Sequence, residues 1–570
     1  MWKYISNSLL YSLLIYIYKL FSNAFRNSLI NKILLKISEW NQSSLTYKIV
    51  QDYTARTPKY VYSLTYRFLA FCGNKLDYIA ENINSAYSRA YKNSLLYKLI
   101  KGTLNLGEKC FGKWYRVAFF IIIAIILCLA GCFLPKIAVV GIIGVLATIF
   151  ILRDFERAAY LVGLYPILYF IAVETNIGSL ASTWDELLII FCIGVWFYRW
   201  IVDRRDFSFN WSPVDFPLFQ FFFVAIVLFV VASFDSLGFD GLRSNIEYLM
   251  FFFIVVKLLR SENGAKNLVK IMIFTGIFMS VIGIYQYIAK VETPAYWTDK
   301  VEATSGPRVF SIVGSPNVLG CLLAMLIPLA ISLVFSEKHI LKKLLYTFAT
   351  GLMGVCLILT GSRSSWIALG LALIIYAILS KKYKLIIGLV VVAALAYSFV
   401  PTVQSRISYL LHPEYIASSF RGGRFSKWPK ALEMFYNNPI FGTGFGKFGG
   451  AVATNNKVKG AFYVDNYYLK AAVEMGIFGF ISFLIALYNG VVWPLRAIRK
   501  VEDNVSKGIV QSGFGAMVGI LFTNIVLNNF DAPSVTTYFW TISAICVYLG
   551  FIRKGPTNVL TKIIAKNESI

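Results

Sequence analysis

The chain has 570 residues, of which 58% are hydrophobic and only 15% are charged, and its formal net charge is +26. Soluble domains carry about 25% charged residues, so this composition excludes an ordinary soluble globular protein. The sequence has two histidines and no CxxC pair, which excludes a histidine-rich or CxxC-type metal site. Its basic residues gather in short segments between apolar runs. That pattern is typical of cytoplasmic loops in membrane proteins rather than of a nucleic-acid-binding surface.

Residues 1–115 mix Tyr, Leu and Ile with Lys, Arg, Asn and Ser. They repeat a loose phrase, as in NSLLYSLL at 7 and NSLLYKLI at 93. The phrase places apolar residues on one helical face with basic residues beside it. We therefore expect a basic extension of amphipathic helices on the cytoplasmic side of the membrane, in contact with its lipids. The alternative is a small helical extension that packs on itself or on a partner.

From residue 116 onward, apolar runs long enough to cross a bilayer recur, and strand-like alternation is absent. They predict an all-α polytopic membrane protein with about 12 to 14 transmembrane helices. The predicted spans are 117–134, 137–152, 158–173, 186–202, 214–234, 246–258, 267–288, 318–335, 345–359, 364–380, 383–400, 467–489, 510–530 and 536–552.

The distribution of Lys and Arg predicts the orientation of these spans. With residues 1–115 in the cytoplasm, every alternate loop is basic, as in RWIVDRRDF, EKHILKK and RAIRKVEDNVSKG, and the loops between them are poorer in Lys and Arg. This predicts a multi-pass protein of the cytoplasmic (inner) membrane with both termini in the cytoplasm. The predicted divisions are an extension at 1–115, transmembrane helices at 116–400, an extracytoplasmic loop at 401–465, transmembrane helices at 466–552 and a cytoplasmic tail at 553–570.

Several arginines lie on the side where basic residues are expected to be sparse: Arg243, Arg308, Arg363, Arg421 and Arg424. A guanidinium group stays charged and binds phosphate oxygens through two parallel hydrogen bonds. A cluster of arginines at headgroup depth therefore suits a lipid diphosphate. All of them are candidate substrate-binding or catalytic residues.

Each arginine also has a purely structural interpretation. Arg243 is one turn from a glutamate, which allows an i,i+4 ion pair. Arg308 can mark a re-entrant loop, and Arg363 can extend from a Gly-Ser turn toward the lipid headgroups. Either Arg421 or Arg424 can simply begin the helix that follows them.

Two glycine-containing segments accompany the arginines: GSPNVLG at 314–320, which includes Asn317, and FGTGFGKFGG at 441–450. Glycine lets a backbone approach a ligand and offers N–H groups to phosphate or sugar oxygens. We therefore expect both segments at the substrate site, with Asn317 as a substrate-binding candidate. The second segment lacks the Lys-Ser/Thr pair of a Walker loop and the strand of a Rossmann turn, so it does not indicate a nucleotide site.

A polar pair, Asp465 and Asn466, opens the apolar segment DNYYLKAAVEMGIFGF. In the predicted topology this pair lies where the long loop re-enters the membrane, on the extracytoplasmic side. Glu474 lies further along, where an ionisable side chain should face the protein interior and find a partner. Lys470 is the local candidate at i,i+4. The structural alternative for Asp465 is that it caps the helix that starts at Asn466.

The chain resembles the O-antigen ligase and O-antigen polymerase family over roughly residues 210–550. Four motifs carry the resemblance, in this order: RVFSIVGSPNVLG, LTGSRSSW, GGRFSKWPKALEMFYNNPIFGTGFGKFGG and DNYYLKAAVEMGIFGF. The resemblance implies an integral membrane glycosyltransferase of the GT-C type. It implies a glycan donor on undecaprenyl diphosphate, without a nucleotide sugar, a metal or a cofactor. The acceptor is a lipid A-core sugar for the ligases and another lipid-linked repeat unit for the polymerases. Glu474 matches the family's Glu-x-Gly pattern, and Asn466 and Glu474 are both substrate-binding candidates.

Carried onto this chain, the resemblance assigns the diphosphate to Arg363 together with one or both of Arg308 and Arg424, with Arg243 as a further candidate. It places the GTGFG segment in the lining of the external cavity. The chain departs from the ligases, which usually have His-Asn where it has Asp465 and Asn466. A carboxylate in a dry cleft can serve as general base for an acceptor hydroxyl, so we expect Asp465 to be catalytic together with Arg363. Some polymerase-like members also have Asp at this position, which favours a polymerase.

A flippase or transporter of lipid-linked oligosaccharides is the rival class, and a span count near 14 suits it. Transporters of this kind place charged sites near the bilayer midplane and often have duplicated halves. Here the candidate residues gather at one face, and the sequence shows no duplicated halves. The pattern therefore favours glycan transfer over transport.

Overall fold

The described residues of the computed structural model form helices and no β-strand, which confirms the predicted all-α class. The predicted spans 117–134 and 137–152, and the tail at 553–570, lie outside the described residues, apart from Ile151. So does nearly all of the extension at 1–115. The described residues are 154–175, 180–202, 211–293, 308–409, 413–420 and 423–552, with isolated positions between 71 and 151.

The α-helices of the described part are numbered here in chain order. They are α1 (Ala158–Gly163), α2 (Tyr165–Thr175), α3 (Leu180–Val202), α4 (Asp215–Ala232), α5 (Ser236–Ile246), α6 (Met250–Leu258), α7 (Glu262–Ile288), α8 (Pro316–Ser336), α9 (Ile340–Leu359), α10 (Arg363–Ser380), α11 (Lys384–Phe399), α12 (Pro401–Ser408), α13 (Pro413–Phe420), α14 (Arg424–Asn437), α15 (Gly450–Asn455), α16 (Tyr467–Lys500), α17 (Asn504–Thr523) and α18 (Pro533–Val547).

Within the described residues, eight helices are long and apolar enough to cross a membrane, or up to ten if two bent pairs each count as one span. This confirms the multi-pass prediction. The predicted span 246–258 corresponds to a 3₁₀ turn, Glu247–Leu249, followed by α6. Because α6 has only nine residues, it covers about 14 Å, less than half of a bilayer core of about 30 Å. It continues a helical run that begins with α5.

The core of the bundle is built on α8, α17 and α18, whose apolar side chains are largely buried. Small residues let α10 and α17 approach closely. A Cβ on Gly515 would lie 2.6 Å from the carbonyl oxygen of Ala372, and one on Gly519 would lie 2.5 Å from that of Ala368. Glycines four positions apart on one helix face are a common device for tight helix packing in membranes.

One end of the bundle, named here the Lys266 end, joins loops that the sequence predicts on the cytoplasmic side. Lys266 Nζ lies 3.0 Å from Asp503 Oδ2, which ties the start of α7 to the start of α17. Glu156 Oε1 accepts hydrogen bonds from the backbone N–H groups of Arg260 (2.7 Å) and Ser261 (2.9 Å).

At the opposite end, named here the Arg308 end, the loops predicted on the extracytoplasmic side contact one another. Lys447 Nζ lies 2.8 Å from Asp235 Oδ2, which joins the glycine-rich segment to the start of α5. Lys470 Nζ lies 2.5 Å from Asp531 Oδ1, which joins α16 to the loop before α18. These contacts bring segments that the basic-residue pattern predicts on one side of the membrane to the same end of the bundle.

Candidate functional site

Three arginines meet around the turn between α9 and α10, and we name Arg308, Arg363 and Arg406 the arginine group. Arg308 is buried; its Nε donates to the carbonyl oxygen of Thr360 (2.9 Å) and its Nη2 donates to Asn317 Oδ1 (2.9 Å). Arg363 is the first residue of α10, and its Nη1 donates to the carbonyl oxygen of Arg406 (3.4 Å). The structure thus brings two predicted arginines and Asn317 together.

Gly361 explains how the arginine group converges. Its backbone is left-handed, with φ of 61°, a conformation that favours glycine. A Cβ at this position would lie 3.4 Å from Arg406 Nε and 3.6 Å from Arg308 Nε. The glycine therefore makes the tight turn and leaves space beside it for the side chains of Arg308 and Arg406.

Arg406 is a residue that the sequence analysis missed. It lies on α12, which is bent by 93° from α11. Pro401 at the first position of α12 favours a new helix start there. Arg406 is only 3% exposed. The signal for it was present, because it is a basic residue in the loop predicted to be extracytoplasmic, as the other arginines are.

Arg424 reaches the same end of the bundle as the first residue of α14. Its Nη2 donates to the carbonyl oxygen of Val526 (2.9 Å). One turn later, Trp428 Nε1 donates to the carbonyl oxygen of Val464 (3.0 Å). These bonds hold α14 against the loop after α17 and against the segment before α16. Arg421 lies outside the described residues, so its role stays a prediction.

Asp465 and Asn466 have different roles in the structure. Asn466 Oδ1 accepts the N–H of Leu469 (3.0 Å) and is the N-cap of α16, so the alternative that Asp465 caps this helix is wrong. Asp465 precedes the cap in a left-handed conformation, with φ of 51°. Within the described residues, its partly exposed carboxylate takes part in no hydrogen bond or ion pair. Such a conformation costs a non-glycine residue about 1 kcal/mol or more and is concentrated at functional sites.

Glu474 belongs to a buried charge cluster with Lys470 and Asp531. Lys470 Nζ lies 2.5 Å from Asp531 Oδ1 and 3.7 Å from Glu474 Oε2. The predicted pair of Lys470 and Glu474 is therefore confirmed, but Asp531 is the nearer partner. The sequence analysis missed Asp531 because 61 positions separate it from Lys470. A buried ion with well-placed opposite charges tolerates its loss of hydration.

The glycine-rich segment packs against a break in α16. At Gly476 the backbone is left-handed, with φ of 61°, and the helix is interrupted. The carbonyl oxygens of Val473 and Glu474 then accept hydrogen bonds from the N–H groups of Thr443 (2.8 Å) and Gly444 (3.1 Å). The prediction that this segment offers its N–H groups to a ligand does not hold for these two, because α16 already uses them.

Arg243 lies in an acidic cluster. Its Nε is 3.0 Å from Glu247 Oε2, which is the i,i+4 pair considered from the sequence. Its Nη2 lies 3.5 Å from Asp185 Oδ1 and also contacts Glu186. The three carboxylates are close enough to one another to hold a cation, and the guanidinium group of Arg243 contacts all of them. The cluster borders a cavity of about 240 Å³ between α5 and α15.

The loop between α17 and α18 connects Asp465 with Arg424. The carbonyl oxygen of Asn524 accepts the N–H of Tyr467 (2.9 Å), two residues after Asp465. The carbonyl oxygen of Val526, two residues further along the loop, holds Arg424. The carboxylate and this arginine are therefore positioned by one short segment.

The same loop reaches the arginine group through a buried thiol. Cys321 Sγ donates to Asn529 Oδ1 (3.3 Å) and lies 3.6 Å from Ser365 Oγ. Ser365 is two residues after Arg363 on α10. Short chains of contact therefore link the arginine group, Arg424 and Asp465 at one end of the bundle.

Comparison with known proteins matches residues 348–484 to the family model described as O-Antigen ligase. This range contains Arg363, Arg406, Arg424 and Asp465. The chain is also 25% identical, over 340 residues, to a protein of Acinetobacter baylyi (strain ATCC 33305 / BD413 / ADP1) named ComP-specific O-oligosaccharyltransferase. The matched region covers 55% of this chain and 60% of that relative.

Proposed function

We propose that this chain, whose residues 348–484 match the family model described as O-Antigen ligase, transfers a glycan from a lipid diphosphate to an acceptor hydroxyl. The donor is linked to undecaprenyl diphosphate, and the reaction takes place on the extracytoplasmic face of the inner membrane. The convergence of Arg308, Arg363 and Arg406 around one glycine turn carries this proposal.

The arginine group binds the diphosphate of the donor. Like charges gathered around one turn repel each other, so an anion bound among them relieves this repulsion and forms charge-assisted hydrogen bonds. Guanidinium groups match phosphate oxygens in pairs. Because Arg308 is held by Thr360 and Asn317, its position is set before the donor arrives, which is the condition for efficient electrostatic stabilisation.

Asp465 orients and deprotonates the acceptor. The acceptor oxygen forms a bond to C1 of the sugar while the bond from C1 to the phosphate oxygen breaks. The electron pair of that bond leaves with the diphosphate, whose growing charge the arginine group stabilises. The acceptor proton passes to the carboxylate of Asp465. Attack opposite the leaving group inverts the configuration at C1.

Lys470 and Asp531 position the site without touching the substrates. Their ion pair holds the loop before α18 against α16. The start of that loop is the segment that fixes Tyr467 and Arg424 through backbone carbonyl groups. The ion pair therefore sets the distance between Asp465 on the acceptor side and Arg424 on the donor side.

The description O-Antigen ligase favours a saccharide acceptor, and the resemblance stated from the sequence implies either a lipid A-core sugar or another lipid-linked repeat unit. A second candidate is a hydroxyl group of a protein, which the name of the Acinetobacter baylyi relative favours. Both acceptors present a hydroxyl group to the same carboxylate, so the chemistry at C1 is shared.

Deletion of the gene, followed by gel analysis of surface polysaccharide and of glycan-stained proteins, separates these outcomes. Loss of capped polysaccharide with accumulation of lipid-linked polymer indicates a ligase, and a shift to single repeats indicates a polymerase. Loss of a stained protein band indicates a protein acceptor. Acceptor-independent movement of donor across vesicles by the purified protein, without transfer, would instead support the flippase alternative.

A further inference from the structure

Helix α14 has an exposed apolar stripe that neither the donor nor the acceptor side of the site uses. Phe425, Pro429, Leu432 and Tyr436 follow one another at the spacing of a single helical face. All of them are exposed; Phe425 is 56%, Leu432 44% and Tyr436 74% accessible. Outside α14, Phe420 of α13 stacks on Phe425 with ring centroids 5.0 Å apart.

The other faces of α14 show that this exposure is not the result of a loosely attached helix. Trp428 and Phe435 pack in the cluster that contains Ala431, which is fully buried. Arg424 and Trp428 donate hydrogen bonds to backbone carbonyl oxygens of neighbouring segments. The neighbouring exposed face is polar. It consists of Lys430, Glu433 and Asn437, with the less exposed Ser426.

The apolar stripe continues into the apolar surface of α16. Ile440, in the turn just after α14, is also exposed (49%). The N–H of Ile477 donates to the carbonyl oxygen of Pro439 (2.8 Å), which brings this end of the stripe against α16 beside its break. From there α16 presents Phe478 (60%) and other exposed apolar residues along a predicted membrane span.

We infer that α14 lies on the membrane surface with its apolar stripe inserted at the boundary between headgroups and acyl chains of the bilayer that holds the protein. An apolar surface that is continuous with a lipid-facing helix has lipid as its natural neighbour. Aromatic rings such as Phe425 and Tyr436 favour this depth, and Lys430 beside them extends its ammonium group to lipid phosphates.

This placement explains how a donor embedded in the membrane reaches a protein-bound arginine. Arg424 projects from the face of α14 that packs on the bundle, so a helix seated at the headgroup boundary sets Arg424 at the depth of a lipid diphosphate. The inference concerns the membrane contact of α14 alone, and it stands or fails independently of the proposed reaction.

Photo-crosslinking tests this contact in the full-length protein. Benzoylphenylalanine is placed at position 432 or 436 on the stripe, or at the matched neighbouring positions 433 or 437 on the polar face. Each variant is reconstituted in vesicles of phosphatidylethanolamine and phosphatidylglycerol. Because all of these positions are exposed, the fold should be retained, and thermal unfolding of each variant verifies this.

We expect phospholipid adducts at positions 432 and 436 to exceed those at 433 and 437 several-fold, as measured by mass spectrometry. Equal phospholipid labelling on the two faces would overturn the inference. So would adducts at position 432 that consist of a second copy of the chain or of another protein, because the stripe would then be a protein interface.

Discussion

Two sets of cations lie at the Arg308 end of the bundle, and they differ in what holds them. Lys470 and Arg243 contact carboxylates directly. Arg308 donates hydrogen bonds to a carbonyl oxygen and to an amide among its contacts, and it lies with Arg363 and Arg406 around a single turn. A cation that contacts carboxylates can stabilise the fold by forming ion pairs with them. Cations collected around one turn gain most when a multiply charged anion joins them. The structure therefore separates arginines that are candidates for binding the diphosphate from Arg243, which pairs with carboxylates. The sequence alone could not make this distinction.

The largest expected effect is the loss of transfer when the arginine group is broken. Arg363→Ala removes a guanidinium group that stabilises the departing diphosphate, so we expect kcat to fall about 100- to 1000-fold. The measurement is glycan transfer by purified protein in vesicles. Lys447→Gln is the matched control, because it removes a cation at the same end that pairs with Asp235. A similar loss of transfer activity in both variants would show that the arginine group does not differ from the cations that contact carboxylates.

Asp465→Asn tests the acceptor side of the site. The amide keeps the size of the side chain but accepts no proton, so we expect kcat to fall about 100-fold or more while donor binding is retained. Transfer kinetics measured at several donor concentrations separate these two quantities. Unchanged kcat would exclude Asp465 as the base.

Lys470→Met tests whether the buried ion cluster stabilises the contact between α16 and the loop before α18. Removing one partner of a buried pair typically costs about 3–5 kcal/mol of stability, because Asp531 and Glu474 remain buried without their cation. We expect a lower unfolding temperature in detergent. The double variant with Asp531→Asn should recover part of that loss, whereas additive losses would show that the two residues do not act together.

Arg243→Gln tests the other set of cations, those that contact carboxylates. The variant leaves Glu247 and Asp185 without the guanidinium group that pairs with them. We therefore expect reduced stability with transfer per folded molecule within about threefold of the original, in contrast to the much larger loss expected from the arginine group. A hundredfold loss of transfer at full folding would return Arg243 to the substrate site.

The smallest effect is expected at the Lys266 end. Burial opposes ionisation of Asp503, but hydrogen bonds from Ser506 and Lys266 lower its pKa to about 2. A carboxyl group whose pKa falls on folding stabilises the protein above its unfolded value of 3.8, and that contribution is lost as the pH falls toward 2. Asp503 is also the N-cap of α17. We expect Asp503→Asn, which keeps an effective cap, to cost about 0.5–1 kcal/mol at neutral pH, measured by chemical unfolding.

Composition and apolar runs were enough to predict the helical class and most of the described spans, because each is a local property of the chain. The sequence also singled out Arg308 and Arg363, since basic residues are expected to be sparse on the extracytoplasmic side, and Asn317 through its glycine-containing segment. Their roles in substrate binding stay predictions. The pairing of Asp531 with Lys470 could not be predicted from the sequence, because the two residues lie on segments that are far apart along the chain. The capping role of Asn466 in place of Asp465 depends on a shift of one residue in the start of α16, and local patterns do not fix helix ends that closely.

Binding of undecaprenyl diphosphate to the purified protein in lipid nanodiscs tests the central claim most directly, because it isolates the arginine group from the acceptor and from turnover. We predict that Arg406→Ala weakens binding about tenfold or more, as the loss of a hydrogen bond to a charged group implies, while Lys447→Gln binds as the original protein does. Equal affinity of Arg406→Ala and the original protein, with both shown to be folded, would contradict the account.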